Sequence, residues 1–133
     1  MRYLLALISF VIIFASSAAR ADANIYHCEV MSDAYIKSDG SLEVMSDSPR
    51  VGQEFTVIKK SGEIVGDVMD SLKNPRIISR GGNGQPYKIL WEQKSASKNG
   101  IYVDYLSIDN VLGKEEKPFG FFSGSMLLAG ICR

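Results

Sequence analysis

Apolar and polar residues alternate in short runs along most of the chain. Tyr26-His27-Cys28-Glu29-Val30 sets an apolar side chain at every second position, and Tyr87-Lys88-Ile89-Leu90-Trp91 puts Tyr87, Ile89 and Trp91 on one face in the same way. A period of two belongs to a strand with one buried face. No stretch of 12 or more residues keeps a clean 3.6-residue period, so the pattern predicts an all-β protein. Strands are expected near Asn24–Met31, Ala34–Lys37, Ser41–Met45, Glu54–Lys59, Glu63–Met69, Arg76–Arg80, Tyr87–Gln93, Ile101–Ile108, Lys117–Phe122 and Met126–Cys132. The turns between them read SDGS, KSGE, GGNG, SKNG and FSGS, where glycine or asparagine can take the positive φ of a tight hairpin. MDSLKNP has room for one helical turn before Pro75.

Tyr26, Cys28, Val30, Tyr87, Ile89 and Trp91 are therefore core candidates. IYVDYLSI and MLLAGIC are apolar on both faces, which suits central or covered strands rather than open edges. The expected architecture is a single-domain antiparallel meander of about eight to ten short strands, closed into a small barrel or flattened sandwich so that few edges stay exposed.

The first residues change where this domain is placed. MRYLLALISFVIIFASSAARADA has one early arginine, an apolar run from Leu4 to Phe14 and then small residues, the pattern of a secretory signal peptide. The run is about half of the roughly 20 residues that span a membrane, so no stable anchor is expected. Residues 1–21 are assigned to the signal and 22–133 to the β domain, with a cut before Asn24 as the alternative. The domain is expected to be periplasmic or secreted. Lipid attachment at Cys28 is disfavoured by the preceding Ile25-Tyr26-His27.

Loss of Arg2 and Arg20 with the signal leaves 13 basic against 15 acidic residues, a formal charge of −2. The basic residues are scattered singly or in pairs, which gives nucleic acid no clustered positive surface to bind. Cys28 and Cys132 are the two cysteines, and in an oxidising compartment they are expected to pair and to fasten the first strand to the last. A redox role would call for a nearby second thiol or a C-x-x-C spacing, and the chain has neither.

Candidate chemistry is sparse. Lys59-Lys60-Ser61-Gly62 could grip a phosphate, but a phosphate loop needs several glycines before its lysine and a helix after it. Here strand-like runs flank the stretch, so a hairpin turn is expected. RGGNGQPYK leads into a strand in the same manner, and Arg80, Asn83 and Gln85 are its ligand candidates. His27, the single histidine, should lie on the face opposite Cys28, which makes a Cys–His nucleophilic pair geometrically awkward. Asp104, Asp109, Glu115 and Glu116 have no calcium-loop spacing, and no catalytic residue, metal or cofactor is assigned. Phe119, Phe121 and Phe122 fall within four residues, so at least one must point away from the face the others cover. The plain expectation is that both faces are buried. The functional one makes Phe121, Phe122 and Ser123 part of an anchor for a partner, or for a ligand at a barrel mouth.

Phe55-Thr56-Val57, Lys59-Lys60-Ser61-Gly62, Ile64-Val65-Gly66, Lys117-Pro118-Phe119 and Gly130-Ile131-Cys132 together resemble the motifs of a group of small exported bacterial β-rich proteins with no assigned activity. Tyr26-His27-Cys28 and FSGS give a fainter, fold-level resemblance to periplasmic lysozyme inhibitors of the small-barrel type, which implies cleft-plugging by a Ser-Gly loop. The expectation for function is an exported, non-enzymatic domain that binds a macromolecular partner of the cell envelope or outside it, with inhibition as one form of that binding. A carrier with a barrel cavity lined by Tyr87, Trp91 or Tyr105 is the alternative.

Overall fold

A computed structural model describes residues 23–94 and 99–133. The signal-peptide assignment lies outside them, as do Ser97 and Lys98 of the SKNG turn. Among the described residues the chain forms one antiparallel sheet: β1 (Ile25–Ile36), β2 (Leu42–Val44), β3 (Glu54–Ile58), β4 (Ile64–Val65), β5 (Arg76–Gly82), β6 (Gln85–Lys94), β7 (Ile101–Ile108), β8 (Lys117–Ser123) and β9 (Met126–Cys132). The strand order is β4-β3-β1-β9-β8-β7-β6-β5, with β2 on the remaining part of β1 beside β3. The sheet curls into a half-barrel. The all-β, single-sheet meander matches the alternation in the sequence.

Two segments differ from expectation. Asn24–Met31 and Ala34–Lys37 belong to a single strand, because Ser32-Asp33 does not turn the chain; instead the pairing of β1 with β9 shifts register between Val30 and Ser32. Such a bulge inserts a residue and exchanges the faces beyond it. Glu63–Met69 is strand over Ile64–Val65 alone; Gly66 then takes φ 144° and a 3₁₀ turn follows at Asp67–Met69, slightly ahead of the place expected for a helical turn.

The concave face is the core. Trp91, Tyr87, Phe55, Ile89, Leu106, Ile108, Leu128, Val30 and Val57 are all under 2 % exposed or at that level, and the six core candidates are buried without exception. Phe55 and Phe119 meet edge to face at 5.1 Å between ring centroids, as do Trp91 and Phe121 at 6.3 Å. Cys28 and Cys132 are direct cross-strand partners and are bonded to each other, joining β1 to β9 across a separation of 104 residues. Gly130 lies where β9 runs tight against β1: a Cβ there would overlap the carbonyl oxygen of Glu29 and stand 2.7 Å from Phe119 Cε1. The close approach admits glycine alone.

Candidate functional site

The lysine pair occupies a hairpin turn. Gly62, with φ 79°, donates to the Ile58 carbonyl at 2.8 Å, and Ile58 donates to the Glu63 carbonyl at 2.9 Å. A phosphate cradle would gather N–H groups, whereas this turn presents carbonyls. The Lys59 carbonyl accepts the Tyr87 hydroxyl at 2.9 Å, and the Lys60 carbonyl accepts the Arg80 guanidinium at 3.4 Å. The Lys59 ammonium sits 4.1 Å above the Tyr26 ring, and Ser61 bonds Glu63 at 3.1 Å. Lys59, Lys60 and Arg80 thus meet along the seam where the curl brings the β3–β4 turn against β5 and β6, and the Arg80 and Tyr87 bonds to the two lysine carbonyls fasten it, whereas Ser61 bonds within its own turn.

The Tyr87 hydroxyl is drawn into the same seam. Burial pushes its pKa up to about 12, reinforced by the neighbouring Tyr26 phenol and opposed by Arg80. Asn83 and Gln85 lie in the β5–β6 hairpin, where Gly81, Gly82, Asn83 and Gly84 all have positive φ. Asn110, which the sequence did not single out, ties this hairpin down: its amide donates to the Gln85 carbonyl at 3.0 Å and its oxygen accepts the Tyr26 hydroxyl at 3.2 Å. An isolated asparagine in a polar loop carries no local signal for such a bridge.

A ligand between Tyr87, Trp91 and Tyr105 would need a cavity among them. Tyr87 and Trp91 are fully buried within the packed concave face, and Tyr105 stands on the convex face, in register with Leu90. Open space of about 590 Å³ lies instead at the mouth of the half-barrel, between the ends of β6, β7 and the β8–β9 hairpin and the chain around the 3₁₀ turn. Gln93, Tyr102, Asp104, Ser123 and the edge of Phe121 line it. His27 is exposed on the face opposite Cys28, 3.4 Å from Glu54. Among the described residues no three His, Cys, Asp or Glu side chains come close enough to share a metal ion.

The convex face carries the more extensive feature. Leu90 pairs with Tyr105, Tyr105 with Phe122, Phe122 with Leu127, Leu127 with Ala34, and Ala34 with Val44. Directly opposed residues share a face, so these six form one apolar row across β6, β7, β8, β9, β1 and β2. Phe122 is 46 % exposed and Val44 63 %; Ile36, Leu42, Ile101 and Val103 extend the patch toward the β8–β9 hairpin end and are exposed as well. The Phe122 ring tilts toward Tyr105 at 6.2 Å between centroids and lies over Gly120. Phe119 and Phe121 point inward at 4 % and 3 % exposure, so the phenylalanine cluster covers both faces and its outward member stays open. IYVDYLSI and MLLAGIC are central strands as expected, but the described residues leave the outer face of IYVDYLSI uncovered.

No protein-family model, no curated protein and no solved structure matches the chain.

Proposed function

We propose that this chain is an exported, non-enzymatic binding domain whose convex sheet face docks a protein of the cell envelope or the space outside it. The observation that carries the reading is the in-register apolar row from Leu90 to Val44, with Phe122 at its centre. Ala34 is buried within the row and Leu90, Tyr105 and Leu127 are half-buried, but Phe122 and Val44 stand open in water, and an aromatic at the centre of an apolar row is the kind of side chain that anchors an interface. Charges of both signs flank it, among them the Arg76–Glu92 pair at 2.7 Å beside Leu90, which suits a mixed protein surface better than an anionic lipid layer. The signal-like N-terminus supports an encounter beyond the cytoplasm.

The test is site-specific photocrosslinking in the native host. A photoreactive phenylalanine analogue at Phe122 or Tyr105 is expected to trap one protein of defined mass, and the same analogue at Glu29, on the convex face away from the row, is expected to trap none. Equal products from all three positions, or none from any, would overturn the proposal; a product of twice the chain's own mass would replace the foreign partner with a second copy.

A further inference from the structure

Among the described residues two acidic side chains are buried, and they are treated differently. Asp33, turned inward by the bulge in β1, is 1 % exposed and accepts both the Ser48 hydroxyl and the Arg50 guanidinium, the latter at 3.0 Å. Asp104 is 7 % exposed and accepts a neutral amide, Gln93 Nε2, at 3.2 Å. Among the described residues no cation pairs with it. A carboxylate withdrawn from water without a positive partner is costly, and the cost falls when a cation enters.

Three further features surround Asp104. It lines the cleft of about 590 Å³ at the mouth of the half-barrel, within the size range of small-ligand sites. Met69, Leu72, Phe121 and Met126 supply apolar walls to the same space. Trp91, its cross-strand partner on the same inner face, has a buried indole N–H with no hydrogen-bond partner among the described residues. Ser71, Gln93, Tyr102 and Ser123 give the same lining a polar part, and the single carboxylate in this mixed cleft suits a positive charge carried on a short hydrocarbon stem.

We propose that this cleft binds an ammonium or guanidinium group on a short apolar stem, with Asp104 as the counter-ion. The cation replaces the positive partner that Asp33 obtains from Arg50, and the stem lies against Phe121 and the two methionines. Partial burial strengthens the pair relative to water. Free alkylamines and the basic side chains of a polypeptide share this chemistry. The site opens from the inner side of β7; its rim shares Ile101 and Val103 with the convex patch but none of the six residues of the row, so either can fail without the other.

The experiment is an NMR titration of the mature protein with n-hexylamine, with hexan-1-ol as the uncharged control and with the blocked tripeptide acetyl-Ala-Arg-Ala-amide. The single indole resonance, from Trp91, and the amides of Asp104, Ser123 and Gly124 are followed. Saturable shifts with hexylamine, at least roughly tenfold weaker with hexanol and weakened to the same degree by Asp104→Asn, are expected. Tighter binding of the tripeptide would identify a polypeptide side chain as the source of the cation, and tighter binding of hexylamine a free amine. Should Asp104→Asn fail to fold, Ser71→Phe, at an exposed position on the cleft wall, is expected to block all three probes with the fold intact. Binding of hexanol as tight as hexylamine, shifts unchanged by both substitutions, or no saturable shift with either cation would overturn the proposal.

Discussion

Phe121 and Phe122 are consecutive and chemically identical, yet one is 3 % exposed and the other 46 %. Phe121 faces Leu106 and Leu128 across the ladder and packs on Trp91; Phe122 faces Tyr105 and Leu127 on the other side of the same three strands. Hydrophobicity therefore does not decide which of them is buried. The inner face is covered because the sheet curls over it, and the turn at Lys59–Gly62 latches against β5 and β6 through the Tyr87 and Arg80 bonds. The outer face has no second layer among the described residues. The apolar residues that folding leaves exposed on this face are the surface on which the proposed docking rests.

The sharpest way to break this comparison is to truncate both rings. Phe121→Ala should cost about 3–5 kcal/mol, since it opens a cavity beside Trp91 in a packed core; urea unfolding measures it, and a loss below about 1 kcal/mol would mean that the concave face is loosely filled. Next comes the inner seam. The Tyr87 phenol is neutral when protonated, and burial raises its pKa from about 10 in an unfolded chain to about 12. Between those values the native state holds more protons than the unfolded state, so stability is unaffected by this group below pH 10 and falls as the pH climbs toward 12, by about 2 kcal/mol. The difference in pH dependence between the wild type and Tyr87→Phe isolates that fall from the other tyrosines and the lysines, and parallel curves would place the hydroxyl in water. The smallest effect is expected outside: Phe122→Ala should change stability by less than about 1 kcal/mol while abolishing the crosslink from Tyr105. A core-sized loss of stability would show that the outer ring is structural after all.

Much of the fold was legible because it is local. The alternation in Tyr26-His27-Cys28-Glu29-Val30 and in the Tyr87–Trp91 stretch marks the inner face directly, and glycine at 40, 62, 84 and 124, all with positive φ, marks four of the turns. What escaped depends on distant partners. Ser32-Asp33 looks like a turn because an aspartate among apolar residues is usually on its way out to water, and nothing nearby shows that Ser48 and Arg50 will meet it inside. KKSG could be read as a hairpin, but not as half of a seam, since Tyr87 and Arg80 lie 28 and 20 residues away in sequence. In the candidate surface, Phe-Gly-Phe-Phe implied that one ring must face outward. Whether anything covers that ring depends on strand order, which periodicity does not encode. Asp104 stands in the sequence only as one of four carboxylates without calcium-loop spacing, and nothing local marks it as buried.

The bond between Cys28 and Cys132 has a consequence for the order of events in making the protein. A ribosome produces Cys28 first and its partner 104 residues later, and β1 cannot gain β9 as its neighbour until nearly all the sheet exists. For that interval Cys28 is a thiol without its mate, in a strand whose inner face is still wet. Any other thiol it joins meanwhile must leave again by exchange before the native bond can form. The half-barrel is in this sense secured from its last strand backward, and the partner to which Cys28 is bonded, rather than its oxidation alone, reports whether the final strand has arrived.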